Sequence, residues 1–133
     1  MLQWLNAFLR NRPFAARVGG SLSRKYILEN GIPQGSVLSP ILFAVMIDDL
    51  PQELNSQHGL FADDIAIWSD GLRISDLLRS VQTSLDSVAQ WCRKWGFVIS
   101  DTKSVAMLFT RNRSTGALSL SVSGHPLTFA DNF

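Results

Sequence analysis

Two adjacent carboxylates, Asp63 and Asp64, interrupt an apolar stretch that reads GLFADDIAIWSD over residues 59–70. An acidic pair between hydrophobic arms suffers like-charge repulsion and loss of hydration unless a cation or strong hydrogen-bond donors compensate. Carboxylate oxygens suit Mg²⁺, which takes one or two carboxylates and leaves room for waters and phosphate oxygens. The pair therefore predicts a Mg²⁺ site, with Mn²⁺ as the alternative ion, and an ordinary polar hairpin tip is the competing interpretation.

A second candidate site is the loop GIPQGSVLSP at residues 31–40. Its glycines permit backbone conformations and close approaches that other residues resist, and Pro33 stiffens the stretch before Gly35. The amide of Gln34 can both donate and accept hydrogen bonds, and Ser36 can cap the helix that follows. Such a loop can lie against a flat base or sugar, although a well-formed helix entry needs the same residues.

Helices on either side of the acidic pair must position these residues. Apolar side chains keep a 3.6-residue period over residues 75–95, which predicts a long amphipathic helix with Gly96 as its C-terminal cap. Between the loop and the carboxylates, residues 41–50 predict a mostly apolar helix that begins at Pro40 and is stopped by Pro51. We expect this second helix to be buried.

Strand patterns surround the helices. Residues 60–68 predict a strand, a tight turn and a strand, so that the turn aims both carboxylates at one point. The chain opens with a short helix that breaks near Asn11, and a hairpin then flanks the GGS turn at residues 19–21. Three further strands are predicted over residues 97–99, 105–110 and 118–122, the last two separated by the turn-prone RNRSTG. This order of elements indicates an α+β fold with an antiparallel sheet covered by helices on one face.

Composition limits the class of protein. The chain has 133 residues, 46% of them hydrophobic and 17% charged, which predicts one folded domain rather than a disordered tail. Cys92 is the only cysteine, which excludes an internal disulfide and a multi-cysteine zinc site and fits an intracellular, reducing compartment. The longest apolar run, ILFAVMI, is too short for a membrane span, and the amphipathic start lacks the features of a secretory signal.

Charge is placed unevenly along the chain. Although the formal net charge is only +1, residues 1–30 contain five basic residues and a single acid. A basic segment suits contact with phosphates, and a solvated face is the alternative. The residues are Arg10, Arg12, Arg17, Arg24 and Lys25 against Glu29.

Three motifs follow one another in a recognisable order: GIPQGSVLSPILFAVMIDDL, then LFADDIAIWSD, then QWCRKWGFVISDTKSVAMLF. Together they resemble the palm of reverse transcriptases, most closely those of non-LTR retrotransposons such as the jockey group. The resemblance covers nearly all of residues 1–133. It implies a polymerase palm-like fold and RNA-directed DNA synthesis with Mg²⁺, an RNA template, a DNA primer and deoxynucleoside triphosphates, in the nucleus or the cytoplasm and without a membrane.

The resemblance also implies roles for residues of the acidic motif and the loop. FADD is similar to the family's [YF]-x-D-D, so Asp63 would be a ligand of the catalytic Mg²⁺ and Asp64 its neighbouring carboxylate. Phe61 stands where tyrosine is common in the family. The loop of Pro33, Gln34, Gly35 and Ser36 would line the incoming nucleotide and the template.

The third motif, over residues 96–109, carries a basic candidate. By resemblance, Lys103 would approach the triphosphate and protonate the leaving pyrophosphate, whereas a solvated strand-edge lysine is the alternative. Ser100 departs from the asparagine that is usual just before this position. Asp48 and Asp49 fall at a helix end, and we interpret them as structural.

Part of the family's pattern is not found. The upstream F-x-D motif with a third aspartate is absent, and the only acid before the loop is Glu29. We therefore expect an incomplete palm without fingers, first catalytic strand or thumb, inactive alone, which either binds the missing parts or self-associates. The alternatives are a non-catalytic, retrotransposon-derived module that binds nucleic acid or protein, and a Mg²⁺-dependent nuclease or phosphatase built on Asp63 and Asp64. No general base is evident for the latter, because we expect His58, which is near the pair in sequence, to lie in a loop.

Overall fold

The computed structural model describes residues 2–111 and 117–130, and the chain divides into two compact units, Met1–Ile47 and Asp48–Phe133. Most of the predicted RNRSTG turn lies outside the described residues. The helices of the described ranges are α1 (Leu2–Leu9), α2 (Ser39–Ile47) and α3 (Ile74–Trp95), with 3₁₀ turns at Leu50–Glu53 and Asp101–Lys103. Within those ranges, no helix combines the length and the apolar character needed to cross a membrane.

In the first unit, α1 is followed by a β-ribbon made of two successive antiparallel strand pairs. Strand β1 (Arg12–Phe14) pairs antiparallel with β4 (Tyr26–Leu28), and β2 (Arg17–Val18) pairs antiparallel with β3 (Ser21–Leu22). The predicted helix and hairpin are thus confirmed. The two strand pairs meet at Ala16 and Ser23. The Ser23 N–H donates to the Ala16 carbonyl, and the Ala16 N–H donates to the Ser23 hydroxyl at 3.0 Å in place of a strand carbonyl.

Helix α2 differs from its prediction. It begins at Ser39, with Pro40 in its first turn, and ends at Ile47. Ser39 is its only buried residue, whereas the side chains of Ile41 and Val45 are 60% and 71% exposed. The prediction of a buried helix is therefore wrong for this chain, because an apolar composition creates a surface that needs cover but does not supply the neighbouring element that covers it.

The second unit is built around α3. The apolar stripe of this helix packs against the turn at Leu50–Glu53 and against strand β8 (Ser121–Val122), which confirms the predicted amphipathic helix. Gly96 ends α3 in the left-handed conformation with φ of 76°, and the Phe97 N–H donates to the Cys92 carbonyl at 2.8 Å. This is the predicted glycine cap. The buried apolar side chains are Leu50, Val88, Ala89, Trp91, Cys92, Ala106, Leu120 and Val122.

The strands after α3 are shorter than predicted. Residues 97–99 form no strand, 105–110 shrink to β7 (Val105–Ala106), and 118–122 shrink to β8. Two strands were not predicted: β9 (His125–Pro126) pairs antiparallel with β8, and β10 (Thr128–Phe129) pairs parallel with β7.

Each strand of the described ranges pairs with a single partner. The remaining pair, β5 (Gln57–Phe61) with β6 (Asp64–Trp68), brings the total there to five separate two-stranded sheets, four antiparallel and one parallel. The α+β class is confirmed, but the strands do not join into the one antiparallel sheet that was expected. Alternation marks a segment that can be a strand, whereas the neighbouring segments decide what it pairs with.

Candidate active site

The acidic pair lies at the tip of the β5–β6 hairpin. The strands pair antiparallel from Gln57 opposite Trp68 to Phe61 opposite Asp64, which leaves Ala62 and Asp63 as a two-residue turn. The predicted strand, turn and strand are confirmed, and β5 begins three residues earlier than expected. Because Ala62 takes a positive φ of 52°, which is uncommon for a residue with a side chain, the chain reverses sharply between Phe61 and Asp63.

The tip presents both carboxylates to solvent. Asp63 and Asp64 are exposed, and the Phe61 side chain beside them is 83% exposed. Within residues 2–111 and 117–130, neither carboxylate pairs with a basic group or accepts a hydrogen bond. Two adjacent negative charges therefore stand at the tip without compensation from the described part of the chain, which is the electrostatic condition that favours a bound cation.

A cluster of serine hydroxyls anchors the base of the hairpin to α3. The Ser56 N–H donates to the Ser84 hydroxyl at 3.2 Å, and the Ser84 hydroxyl donates to the Ser56 hydroxyl at 2.9 Å. The Ser56 hydroxyl lies 3.1 Å from the carbonyl oxygen of Ser80 and 3.0 Å from its hydroxyl. Ser84 is fully buried. This cluster was not predicted from the sequence, in which its signal is a serine in the middle of an apolar helix stripe.

Polar side chains also close the open end of the hairpin. The Trp68 indole N–H donates to Gln57 Oε1 at 2.7 Å, and Gln57 Nε2 donates to Asp70 Oδ1 at 2.8 Å. Since the serine cluster and these contacts hold the end opposite the turn, the hairpin projects its acidic tip from a fixed base.

His58 lies on a strand, so its placement in a loop was wrong. Its ring is half-buried, and Nδ1 is 3.0 Å from the carbonyl oxygen of Ser56, which accepts a hydrogen bond from the Nδ1–H. His58 pairs in register with Ile67, three residue pairs and about 10 Å along the strands from the Phe61–Asp64 pair. This position separates His58 from the carboxylates that it would serve in a hydrolase.

Lys103 ends the short turn Asp101–Lys103, so the alternative interpretation was wrong in placing it on a strand edge. The Ser104 hydroxyl donates to the Ser100 carbonyl at 2.8 Å, and His125 Nδ1 lies 3.5 Å from Asp101 Oδ2. These contacts shape the turn, and the side chain of Lys103 is exposed. Its proposed contact with a triphosphate stays a prediction.

The loop of residues 31–40 belongs to the first unit and forms a helix entry. The Leu38 N–H donates to the Ser36 hydroxyl at 3.3 Å, and the Ser39 hydroxyl donates to the Pro33 carbonyl. Gly35 takes a positive φ of 85°, which explains why glycine occupies that position. Gln34 is exposed. The Ser36 hydroxyl thus bonds the residue that precedes α2, so the capping of the helix itself by Ser36 stays a prediction, as does contact of this loop with a nucleotide or template.

The chemistry of the donor set at the tip fits Mg²⁺, because carboxylate oxygens are its preferred protein ligands. Across the described ranges, no group of three or more histidine, cysteine or acidic residues is placed to hold a metal ion. In the other acidic pair, Asp49 Oδ1 accepts the Trp91 indole N–H at 2.7 Å, which confirms the structural interpretation of Asp49. Asp48 is exposed, and its structural interpretation stays a prediction.

Comparison with known proteins places the chain in a family. The family described as reverse transcriptase (RNA-dependent DNA polymerase) matches residues 1–127. The chain belongs to the reverse-transcriptase family. The match includes the loop of Gln34, the hairpin of Asp63 and the turn of Lys103.

Curated relatives of this reverse-transcriptase chain are polymerases of mobile elements. The chain is 33% identical over 115 residues to the probable RNA-directed DNA polymerase from transposon BS of Drosophila melanogaster, a match covering 80% of the chain and 13% of the relative. It is 31% identical over 119 residues to the RNA-directed DNA polymerase from mobile element jockey of Drosophila funebris, covering 83% and 13%. The corresponding transposon X-element polymerase of Drosophila melanogaster is 32% identical over 116 residues, covering 84% and 13%.

These relatives confirm the resemblance to jockey-like, non-LTR reverse transcriptases. The reverse-transcriptase chain spans only 13% of the length of each of these three relatives. No solved structure matches the chain.

Proposed function

We propose that this chain is a segment of an RNA-directed DNA polymerase in which the β5–β6 hairpin holds Mg²⁺ for nucleotidyl transfer. The observation that carries the proposal is the pair Asp63 and Asp64, exposed at a two-residue turn with no compensating charge in the described ranges. Membership of the reverse-transcriptase family supports the assignment of the pair to polymerase chemistry rather than to hydrolysis.

In this proposal each residue has a limited task. Bound Mg²⁺ supplies charge stabilisation to the attacking and leaving oxygens of the phosphoryl centre. Asp63 and Asp64 hold the ion, and the paired strands behind them keep both carboxylates at one place. Phe61, beside the pair, offers an apolar surface to the substrate.

Each unit also contains one residue whose motif implies a role toward the nucleotide. Gln34 contacts a base or sugar through its exposed amide, and the backbone at Gly35 allows close approach. Lys103 donates a proton to the leaving pyrophosphate from its exposed position. An RNA template, a DNA primer and deoxynucleoside triphosphates are the proposed substrates.

We also propose that the isolated chain does not polymerise. Two carboxylates occupy a minority of the six positions around Mg²⁺, so positioning a reactive ion needs further protein or substrate ligands. The small share of its relatives' length that the chain covers supports a supply of those ligands from other polymerase segments.

Calorimetric titration with Mg²⁺, and then Mn²⁺, tests the metal site. The wild-type chain is expected to bind, whereas Asp63→Asn removes one charged ligand from the tip and should abolish the measurable heat. Asp48→Asn is the matched control because it changes an exposed residue of the other Asp-Asp pair. Equal loss in both variants, or no binding by the wild type, would contradict the proposal.

Primer extension on an RNA template tests the polymerase assignment. The isolated chain is expected to add no nucleotides, whereas a complete polymerase that contains this segment should extend the primer and lose that activity with Asp63→Asn. Extension by the isolated chain would refute the proposal that it needs other segments. Full activity of the complete polymerase carrying Asp63→Asn would refute the role of the hairpin.

A further inference from the structure

The two units carry opposite charge. Met1–Ile47 contains five basic residues and one acidic residue, a net charge of +4, whereas Asp48–Phe133 contains seven basic and ten acidic residues, a net charge of −3. The near-neutral total therefore conceals a basic first unit. Clustered positive charge attracts polyanions, and its effect on binding does not depend on the charge of the whole chain.

Within this basic unit, the β1–β4 ribbon exposes two aromatic rings on one face. Phe14 and Tyr26 stand directly opposite each other in the strand register, so their side chains lie on the same side. Their ring centroids are 5.8 Å apart, and each side chain is 43% exposed. The ribbon strands contain no buried residue, so these rings are not part of a core.

A guanidinium group lies over one ring of this pair, that of Tyr26. Arg24 places its guanidinium carbon 4.8 Å from the centroid of the Tyr26 ring, and its Nε donates to the Tyr26 hydroxyl at 2.5 Å. The result is a ring capped by a flat, charged plane. Nucleobases stack on both kinds of surface, on aromatic rings and on arginine planes.

The basic residues of this unit do not have the same role. Arg12 is engaged with the backbone, because its guanidinium donates to the carbonyl oxygens of Leu9 at 3.0 Å, Asn30 at 3.0 Å and Gly31 at 2.6 Å. By contrast, the side chains of Arg17 and Lys25 are exposed, and among the described residues they form no ion pair or hydrogen bond. These two charges remain available to a ligand.

We propose that the face of the β1–β4 ribbon binds single-stranded nucleic acid. Bases stack on Phe14 and on the Arg24 plane that caps Tyr26, while the Arg17 and Lys25 side chains contact phosphates. A duplex keeps its bases stacked on each other and presents no free ring faces, so the single strand is the form that fits. This inference rests on the proposed polymerase function, since it names a surface for the template or primer strand, but binding there needs no metal.

The single tyrosine of the chain allows a direct test. In the full chain labelled with 3-fluorotyrosine, Tyr26 gives one fluorine NMR resonance, which is followed in EDTA during titration with a single-stranded oligouridylate. The resonance is expected to shift until saturation, and a duplex of the same length should shift it much less. No shift with the single strand, or an equal shift with the duplex, would overturn the inference.

Affinity measurements by fluorescence anisotropy separate stacking from charge. Tyr26→Leu is expected to weaken binding about 5- to 140-fold, the range for loss of one stacked base, while Tyr26→Phe keeps the ring and most of the affinity. Arg17→Gln should reduce the slope of log affinity against log salt by about 0.7. Arg93→Gln, an exposed arginine in the second unit, is the matched control and should leave affinity unchanged.

The outcomes distinguish this inference from the proposed function. Asp63→Asn is expected to leave binding in EDTA unchanged, because the hairpin tip takes no part in it. Wild-type affinity in Tyr26→Leu, or a concentration-dependent shift of the Tyr26 resonance without nucleic acid, would overturn the inference, the latter by showing a protein-binding face. If Asp63-dependent Mg²⁺ binding persists in that case, the proposed function stands alone.

Discussion

The indole N–H of Trp91 donates to Asp49 Oδ1 at 2.7 Å and joins α3 to the residue before the turn at Leu50–Glu53. Trp91 is buried in the core of the second unit, and Asp49 is half-buried. A buried donor that lost this partner would lose a charge-assisted hydrogen bond without regaining water. Asp49 of one acidic pair thus supports the core, whereas both carboxylates of the other pair are exposed at the hairpin tip.

Replacement of Asp49 tests how much its hydrogen bond with Trp91 contributes to the free energy of unfolding. Asp49→Ala is expected to lower the free energy of unfolding by about 1–3 kcal/mol, because the indole N–H is left unsatisfied. Asp49→Asn keeps an acceptor oxygen and should cost less. Urea unfolding followed by circular dichroism measures both, and Asp48→Ala should stay within about 0.5 kcal/mol of the wild type. Equal effects at the two positions would refute the structural role of Asp49.

The serine cluster predicts a second stability change. Ser84→Ala removes the acceptor of the Ser56 N–H in a fully buried site, so we expect a loss of about 1–3 kcal/mol of unfolding free energy. Ser87→Ala, one turn further along α3, is the control and should change little. A neutral Ser84→Ala variant in urea unfolding would show that the cluster does not anchor the hairpin.

Replacement of the turn residue Ala62 by glycine should stabilise the fold. Its positive φ of 52° costs a residue with a side chain about 1–2 kcal/mol, and glycine avoids that cost at the expense of about 0.5–1 kcal/mol of backbone entropy. Ala62→Gly is therefore expected to raise the urea midpoint slightly. Ala66→Gly, on strand β6 of the same hairpin, should lower it. If both variants are destabilised alike, Ala62 is not strained.

Burial raises the pKa of the Cys92 thiol above its ordinary value of 9.0, because the low-dielectric core disfavours the thiolate. The unfolded chain therefore loses this proton first, so the contribution of Cys92 to stability is full below pH 9.0 and falls as pH rises toward the folded pKa. Between roughly pH 8 and roughly pH 10, the urea midpoint of the wild type should decline more than that of Cys92→Ala. Parallel curves would contradict a buried thiol.

The exposed apolar face of α2 predicts self-association of the isolated chain. Ile41 and Val45 are one helical turn apart and together present a surface that water does not favour. Light scattering at micromolar concentration is expected to detect a dimer or a larger assembly, and replacement of both residues by lysine should shift the chain toward monomer. Leu72→Lys, at an isolated exposed position of the second unit, should not. A monomeric wild type would refute this prediction.

Several elements followed directly from local patterns in the chain. The apolar period of residues 75–95 and the glycine at 96 predicted α3 and its cap, and Ser36 predicted a helix entry. The strand, turn and strand around Asp63 were likewise foreseen. Each depends on contacts between residues within a few positions of one another, which is why the sequence alone is sufficient to predict them.

Contacts between distant residues were not foreseen. Ser56 and Ser84 are 28 positions apart, and Asp49 and Trp91 are 42 apart, so no local pattern connects them. The parallel pairing of β7 with β10 depends likewise on which segment comes to lie beside Val105 and Ala106.

The sequence by itself determined the family, the acidic motif and the local elements, because motif order, turn chemistry and apolar period are properties of neighbouring residues. Only the tertiary structure decided that Asp49 supports a buried indole while Asp63 and Asp64 remain exposed. It alone also decided that α2 is uncovered. The physical reason is the same in each case: burial and hydrogen bonding of a side chain depend on what the rest of the chain places around it.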